Sequence, residues 1–226
     1  MRKAAKIIAI AATAILLLSF ADAIVVANYC RYKASRLLAV ARTLHPGITT
    51  QTQAQKALEP FSAYGEEYRS NSSEAISETI TYALQNVPSQ TVPVIDEIRS
   101  FPFRILYTWT RFSVDMKYEN GFLAEIRILE MQQDHLGYPH PNAASVRIVA
   151  SKLVRLSPDF TGYSEHPNYT FGVDGKGNPN GFVCCYIRRI EMDERATADQ
   201  MAHALNFRLN CMSSFVRCKN DREILP

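Results

Sequence analysis

Residues 7–27 read IIAIAATAILLLSFADAIVVA, an apolar run with Asp22 as its one charge. As a helix rising about 1.5 Å per residue, such a run matches the roughly 30 Å hydrocarbon core of a bilayer. Beyond it the pattern becomes one-sided. Over residues 28–44, Leu37, Val40, Ala41 and Leu44 share one face at helical spacing, and Arg31, Lys33, Arg36 and Arg42 spread over the others. This predicts that the helix continues. His45-Pro46-Gly47 ends it. Thr50-Gln51-Thr52-Gln53 then has capping-box spacing and predicts a short helix that stops before Pro60. Residues 62–74 are polar and read as a loop.

Residues 76–87 fit both the helical and the strand period, and Thr79, Ile80, Thr81 and Tyr82 favour a strand. Pro88 and Pro93 bracket a connection, with room for a helical turn or two at 94–100. A hairpin is expected across Asn120-Gly121. With a two-residue loop, Glu119 pairs with Phe122, and charges fall opposite Met116 and Val114. With a three-residue loop and Gly121 left-handed, Tyr118 pairs with Phe122, and Met116, Val114 and Phe112 face Ala124, Ile126 and Ile128. That bulged form keeps one face apolar and is the expected register. Further strands are predicted at 145–156, 169–173 and 182–192. A second capping box at Thr197-Ala198-Asp199-Gln200 opens a helix striped by Met201, Leu205, Leu209 and Met212. The expected class is α+β: an N-terminal transmembrane helix, then an antiparallel-sheet domain with helices at its ends. Its divisions are an anchor at 1–28, a basic membrane-proximal helix at 29–45 and an extracytoplasmic domain at 46–226.

Composition changes this picture little, but charge sharpens it. Of the 25 basic and 22 acidic residues, seven basic and one acidic lie within residues 1–45. The remainder is net acidic. A nucleic-acid binder concentrates positive charge on its folded part, whereas here it flanks the apolar run, so nucleic acid is not expected as a partner. The expected partner is the lipid bilayer through residues 7–27, with Arg31, Lys33, Arg36 and Arg42 near anionic headgroups. Arg2, Lys3 and Lys6 precede the run, so the positive-inside count is nearly balanced. A short basic stub before an apolar run favours export of the C-terminal domain. Cleavage is the competing reading, with residues 7–20 as the apolar region of a signal peptide and Ala21-Asp22-Ala23 as its processing site.

Chemical signatures are few. The 174–181 loop, DGKGNPNG, has Lys176 and Pro179 where a calcium loop needs a ligand and a glycine, and it leads into a strand rather than a phosphate-binding helix. It reads as a hairpin connection. Asp134, His135, His140 and His166 lack metal-ligand spacing and read as loop residues. No Gly-x-Ser-x-Gly elbow is present. Cys184 and Cys185 fall on opposite faces of a strand. Cys211 and Cys218 are the disulfide candidates, since a fold-back after the last helix brings them within bridging distance. Asn71 and Asn168 head glycosylation-type triplets that matter only in a eukaryotic secretory path. The sequence assigns no catalytic, cofactor or metal residue.

The anchor, the basic helix, Gly47-Ile-Thr-Thr leading into a short helix, and the ending Cys211-x6-Cys218-KNDREILP together resemble an uncharacterised group of bacterial single-pass membrane proteins. That likeness implies a bacterial, membrane-anchored chain and carries over no site residue. The leading expectation is a membrane-tethered extracytoplasmic domain of non-enzymatic, binding or envelope-associated role. The alternatives are an enzyme with a dispersed site, or a soluble protein released by cleavage after Ala23.

Overall fold

The computed structural model describes residues 2–72, 75–86, 109–133, 142–150, 162–166, 169–174, 186–193, 196–213, 218 and 221–225. The apolar run and the one-sided stretch after it form one helix, α1 (Arg2–Ala41). It is long and apolar enough to cross a membrane. In its first half Ile7, Ile8, Leu17 and Leu18 are 66–70% exposed. In its last third Cys30, Ala34, Leu37, Leu38 and Ala41 are buried in the domain core. Their spacing of three and four residues makes one stripe, so the same helix presents apolar surface all round and then apolar surface on one side.

That stripe lies in the core shared with an eight-stranded sheet ordered β1-β2-β3-β4-β5-β8-β7-β6. The strands are β1 (Gly65–Ser72), β2 (Ala75–Gln85), β3 (Trp109–Glu119), β4 (Phe122–Gln133), β5 (Asn142–Val149), β6 (Gly162–His166), β7 (Tyr169–Asp174) and β8 (Tyr186–Asp193). The expectation of an antiparallel sheet needs correction, because β5 pairs with β8 in parallel. The other neighbouring pairs are antiparallel. A parallel pair needs a long crossover, and residues 150–185 provide it. Hydrophobic alternation marks the central strands but does not choose their neighbours.

Alternate residues of the central strands build the core face in transverse rows. Ile80, Met116, Ile126, Ile148 and Met192 form one, and Tyr82, Val114, Ile128, Val146 and Ile190 the next. All ten are buried. A third row, Leu84, Phe112, Glu130 and Ala144, places a carboxylate among apolar side chains.

The β3–β4 hairpin matches neither sequence-based register. Its loop has two residues, Asn120 (φ 53°) and Gly121 (φ 78°), between paired Glu119 and Phe122. Tyr118 pairs with Leu123, not Phe122, and the register then shifts so that Lys117 pairs with Glu125. The extra residue is Ala124, inside β4 rather than in the turn. This bulge permits the tight turn whose twist suits a hairpin and still brings Met116 opposite Ile126 and Val114 opposite Ile128. The unused edge of β4 at that point is taken by the chain leaving α1. Gly47 N–H donates to Leu123 O (2.7 Å), Leu123 N–H to Thr49 O (2.9 Å) and Gln51 N–H to Gly121 O (2.9 Å).

Helix α2 (Gln51–Leu58) starts at the expected box, with Thr50 Oγ1 accepting from Gln53 N–H and Gln53 Oε1 accepting from Thr50 N–H. A 3-10 segment, Glu59–Tyr64, carries Pro60 in its first turn. Residues 65–72, read as loop, are instead β1. An edge strand pairs on one side only, so its composition need not show buried alternation. The second box also forms, but its helix α3 (Ala198–Ala204) is shorter than expected. Leu209 and Met212 belong to a separate 3-10 segment, Leu209–Ser213. Phe207 breaks the stripe by turning into the core, where its ring meets Phe112 edge-on at 6.1 Å. Strand β5 begins three residues ahead of the expected 145–156 strand, β7 matches 169–173 closely, and residues 151–156 and 182–185 lie outside the described residues.

Nothing lies within 4 Å of a Cβ added at Gly121, so only backbone strain opposes substitution there. Gly121→Val is expected to lower unfolding free energy by about 1–2 kcal/mol, and Gly121→Asn by much less. Chemical denaturation of both variants checks this.

Candidate functional site

Two places concentrate polar chemistry against apolar surface: the collar where α1 enters the domain, and the end of the sheet beneath the C-terminal segment. At the collar Tyr29 and Tyr32 are about half exposed. Lys33 Nζ stands 5.4 Å from the Tyr29 ring centre, a cation–π distance. Arg36 Nη1 donates to the Tyr32 hydroxyl at 3.5 Å. Tyr29 also hydrogen-bonds Tyr64, which holds the Tyr64 hydroxyl pKa above its usual value. Aromatic and basic side chains one turn beyond an apolar run are suited to the headgroup layer.

The four basic residues expected near lipid divide by their partners. Arg31 Nη1 donates to Ser213 Oγ at 3.3 Å, and Arg42 Nη2 to Leu205 O at 2.6 Å. At about 1.5 Å per residue, Arg42 stands roughly 22 Å along the helix from Ala27, beyond the ~8–10 Å reach of surface electrostatics when the helix stands upright. Arg42 is thus a bolt between α1 and the C-terminal segment. Cys30, one turn beyond the apolar run, donates its thiol to Gln85 O at 3.0 Å. Burial pushes that thiol up to about 11, which suits a packed, unreactive group.

The C-terminal segment, in its described residues 205–213, 218 and 221–225, closes the end of the strands nearest the apolar run. Cys211 and Cys218 are joined by a disulfide with Cα atoms 5.8 Å apart. Ile224 and Leu225 are buried, and Arg208 N–H donates to Ile224 O at 2.7 Å. Beneath them lies a sealed polar floor. Asn86 receives Thr110 N–H on Oδ1 (2.9 Å) and donates Nδ2 to Met212 O (3.1 Å). Gln132 Nε2 reaches Cys211 O at 3.4 Å and Thr110 Oγ1 at 3.5 Å. Glu130, two residues along β4 from Gln132, is wholly buried with neither carboxyl oxygen hydrogen-bonded. Sequence reading missed this floor, because its residues come from the end of β2, from β3 and from β4, and the strand members are polar positions on otherwise apolar faces.

The opposite face of the sheet is a charged ladder. Thr81, Asp115, Arg127, Arg147, Glu191 and Thr170 occupy one transverse row. Arg147 grips Glu125 with two bonds, Nε–Oε1 at 2.7 Å and Nη2–Oε2 at 2.9 Å, and lies 3.6 Å from Glu191. Burial raises the Asp115 carboxyl above its usual range, opposed by a hydrogen bond from Thr81 and by the Arg127 and Arg111 charges. A shallow groove of about 300 Å³ between α2 and β1–β2 has an apolar floor of Leu58, Ile80 and Tyr82 and a rim bearing Glu59 and Glu67.

Asp134, His135, His140, Cys184, Cys185, Asn168 and residues 175–181 lie outside the described residues; the backbone of His166 ends β6 and that of Asn71 lies in β1. Among the described residues no three His, Cys, Asp or Glu converge as a metal site.

The chain matches no known protein family, no curated protein and no solved structure.

The geometry of the sealed end generates a pair of expectations. Asn86→Ala leaves Thr110 N–H and Met212 O without that partner in a dry setting and should cost about 1–3 kcal/mol. Opening the bridge with Cys218→Ser should cost about 2–3 kcal/mol by loop entropy. Both are read from urea denaturation of purified protein.

Proposed function

We propose that this protein is a membrane-tethered domain standing outside the cytoplasm, with a binding or envelope-associated role rather than a catalytic one. The observation that carries the reading is the continuity of α1. The bilayer-length apolar run and the core stripe Cys30, Ala34, Leu37, Leu38 and Ala41 belong to one unbroken helix. Such a helix fixes the domain's height and direction relative to a bilayer, which a flexible linker does not do.

The collar fits the same reading. Arg31 and Lys33, with Tyr29 and Tyr32, stand at the level of anionic headgroups when residues 7–27 fill the bilayer, and Arg36 lies about one turn further out. The Cys211–Cys218 bridge supports the extracytoplasmic side, because disulfides persist in oxidising compartments.

The protein is expected to remain in the membrane fraction through high-salt and carbonate washes, with residues 1–23 present by intact mass. A soluble chain starting at Ile24 overturns the tether. Rapid alkylation of cells before lysis, followed by non-reducing peptide mapping, should find Cys211 and Cys218 bridged, and free thiols at both place the domain in the cytoplasm. Leu37→Ala is expected to cost about 2–5 kcal/mol of domain stability while leaving membrane retention unchanged, since the apolar run is untouched.

A further inference from the structure

Glu130 stands where three elements meet. Its partner across β3 is Phe112, whose ring meets Phe207 of the C-terminal segment. Its neighbour on the same face of β4 is Gln132, which holds Cys211 O. The same segment is bolted to α1 through Arg31 and Arg42. The carboxyl group is therefore under the seat of a cap that clamps the anchor helix to the sheet, and neither of its oxygens has a hydrogen-bond partner. A buried carboxylate without a partner is far more costly than a buried carboxylic acid.

We propose that seating of this cap is proton-linked: residues 205–213 dock onto the sheet while Glu130 is a neutral acid and lift away as it ionises.

Among the described residues, the register neighbours of Glu130 carry no charge. Across β3 stand Phe112 and Thr110, and across β5 stands Ala144. The cap contributes Phe207, Met212 and Cys211, whose sulfur is in the bridge. On α1 the groups near this end are Cys30, whose thiol is held neutral by burial, and Arg31, whose guanidinium is engaged by Ser213 Oγ of the cap. Arg188 of β8 occupies the register position beyond Ala144. Burial raises the Glu130 carboxyl well above the usual carboxylate range. The closed state thus binds a proton that the open state releases near the ordinary value of about 4.3. Stability of the closed cap is fully present below that value and is lost as pH rises towards the raised one. Between the two, the opening constant grows about tenfold per pH unit.

Hydrogen exchange of the full chain in lipid nanodiscs from pH 5 to 8, corrected for intrinsic exchange, tests this. The opening constant of residues 205–213 should rise more than tenfold in the wild type and less than twofold in Glu130→Gln, with residues 112–128 unaffected in both. Glu130→Leu, which carries no ionisable group, should give the same flat profile and serves if the glutamine variant folds poorly. A flat wild-type profile, a slope retained in the variants, or parallel opening of residues 112–128 overturns the proposal.

Discussion

The arrangement depends on one helix meeting two environments in succession. The first half of α1 exposes apolar side chains and is long and apolar enough to cross a membrane. The last third is apolar on one stripe and must cover that stripe with protein. Small residues Ala34 and Ala41 let the helix lie close to the sheet, and Leu37 and Leu38 fill the space between. Burying a leucine stabilises by about 1.5–3 kcal/mol, with less once the compact unfolded chain is considered. Without the sheet the stripe is exposed, and without the stripe the three transverse rows lose their cover.

From that packing follows the direction of everything else. The helix runs along the strands, from Cys30 beside Gln85 to Gly47 bonded to Leu123. The Asn120-Gly121 turn therefore lies at the end away from the apolar run, and the Asn86, Thr110 and Gln132 floor lies at the near end. The disulfide-closed C-terminal segment seals the near end and reaches α1 through Arg31 and Arg42. Asn86, Thr110 and the Gln132 amide nitrogen are satisfied there by one another and by backbone carbonyls, while Glu130 and Gln132 Oε1 on the same face have no hydrogen-bond partner. The far face of the sheet solves the opposite problem by pairing Arg147 with Glu125 and Glu191 at partly solvated positions. Such pairs set strand register more than they add stability.

Much of this was legible from residue order alone, where the cause is local. The length and polarity of residues 7–27 sufficed for a helix long enough to span a bilayer. Both capping boxes formed as expected, because Thr50 with Gln53 and Thr197 with Gln200 need only three residues of separation to bond. Asn120-Gly121 signalled a hairpin with Gly121 at positive φ, which it adopts, although Asn120 adopts it too in a loop one residue shorter than expected. The spacing of Cys211 and Cys218 permitted a bridge that needs only a fold-back of the chain.

What depended on distant partners was decided by the tertiary structure. The bulge at Ala124 arises because the tight turn and the buried face impose registers one residue apart, and the strand, not the turn, absorbs the difference. The parallel pairing of β5 with β8 depends on where the crossover lands, and no periodicity encodes that. Residues 65–72 became a strand because β2 offered an open edge, and α3 stopped early because Phe207 found Phe112 across the core. Glu130 shows the contrast most sharply. Along the chain it is one polar residue in an alternating strand. Only the folded sheet, with the C-terminal segment over it, makes it a buried acid with no partner, because burial is a property of what covers a residue and not of its neighbours in sequence.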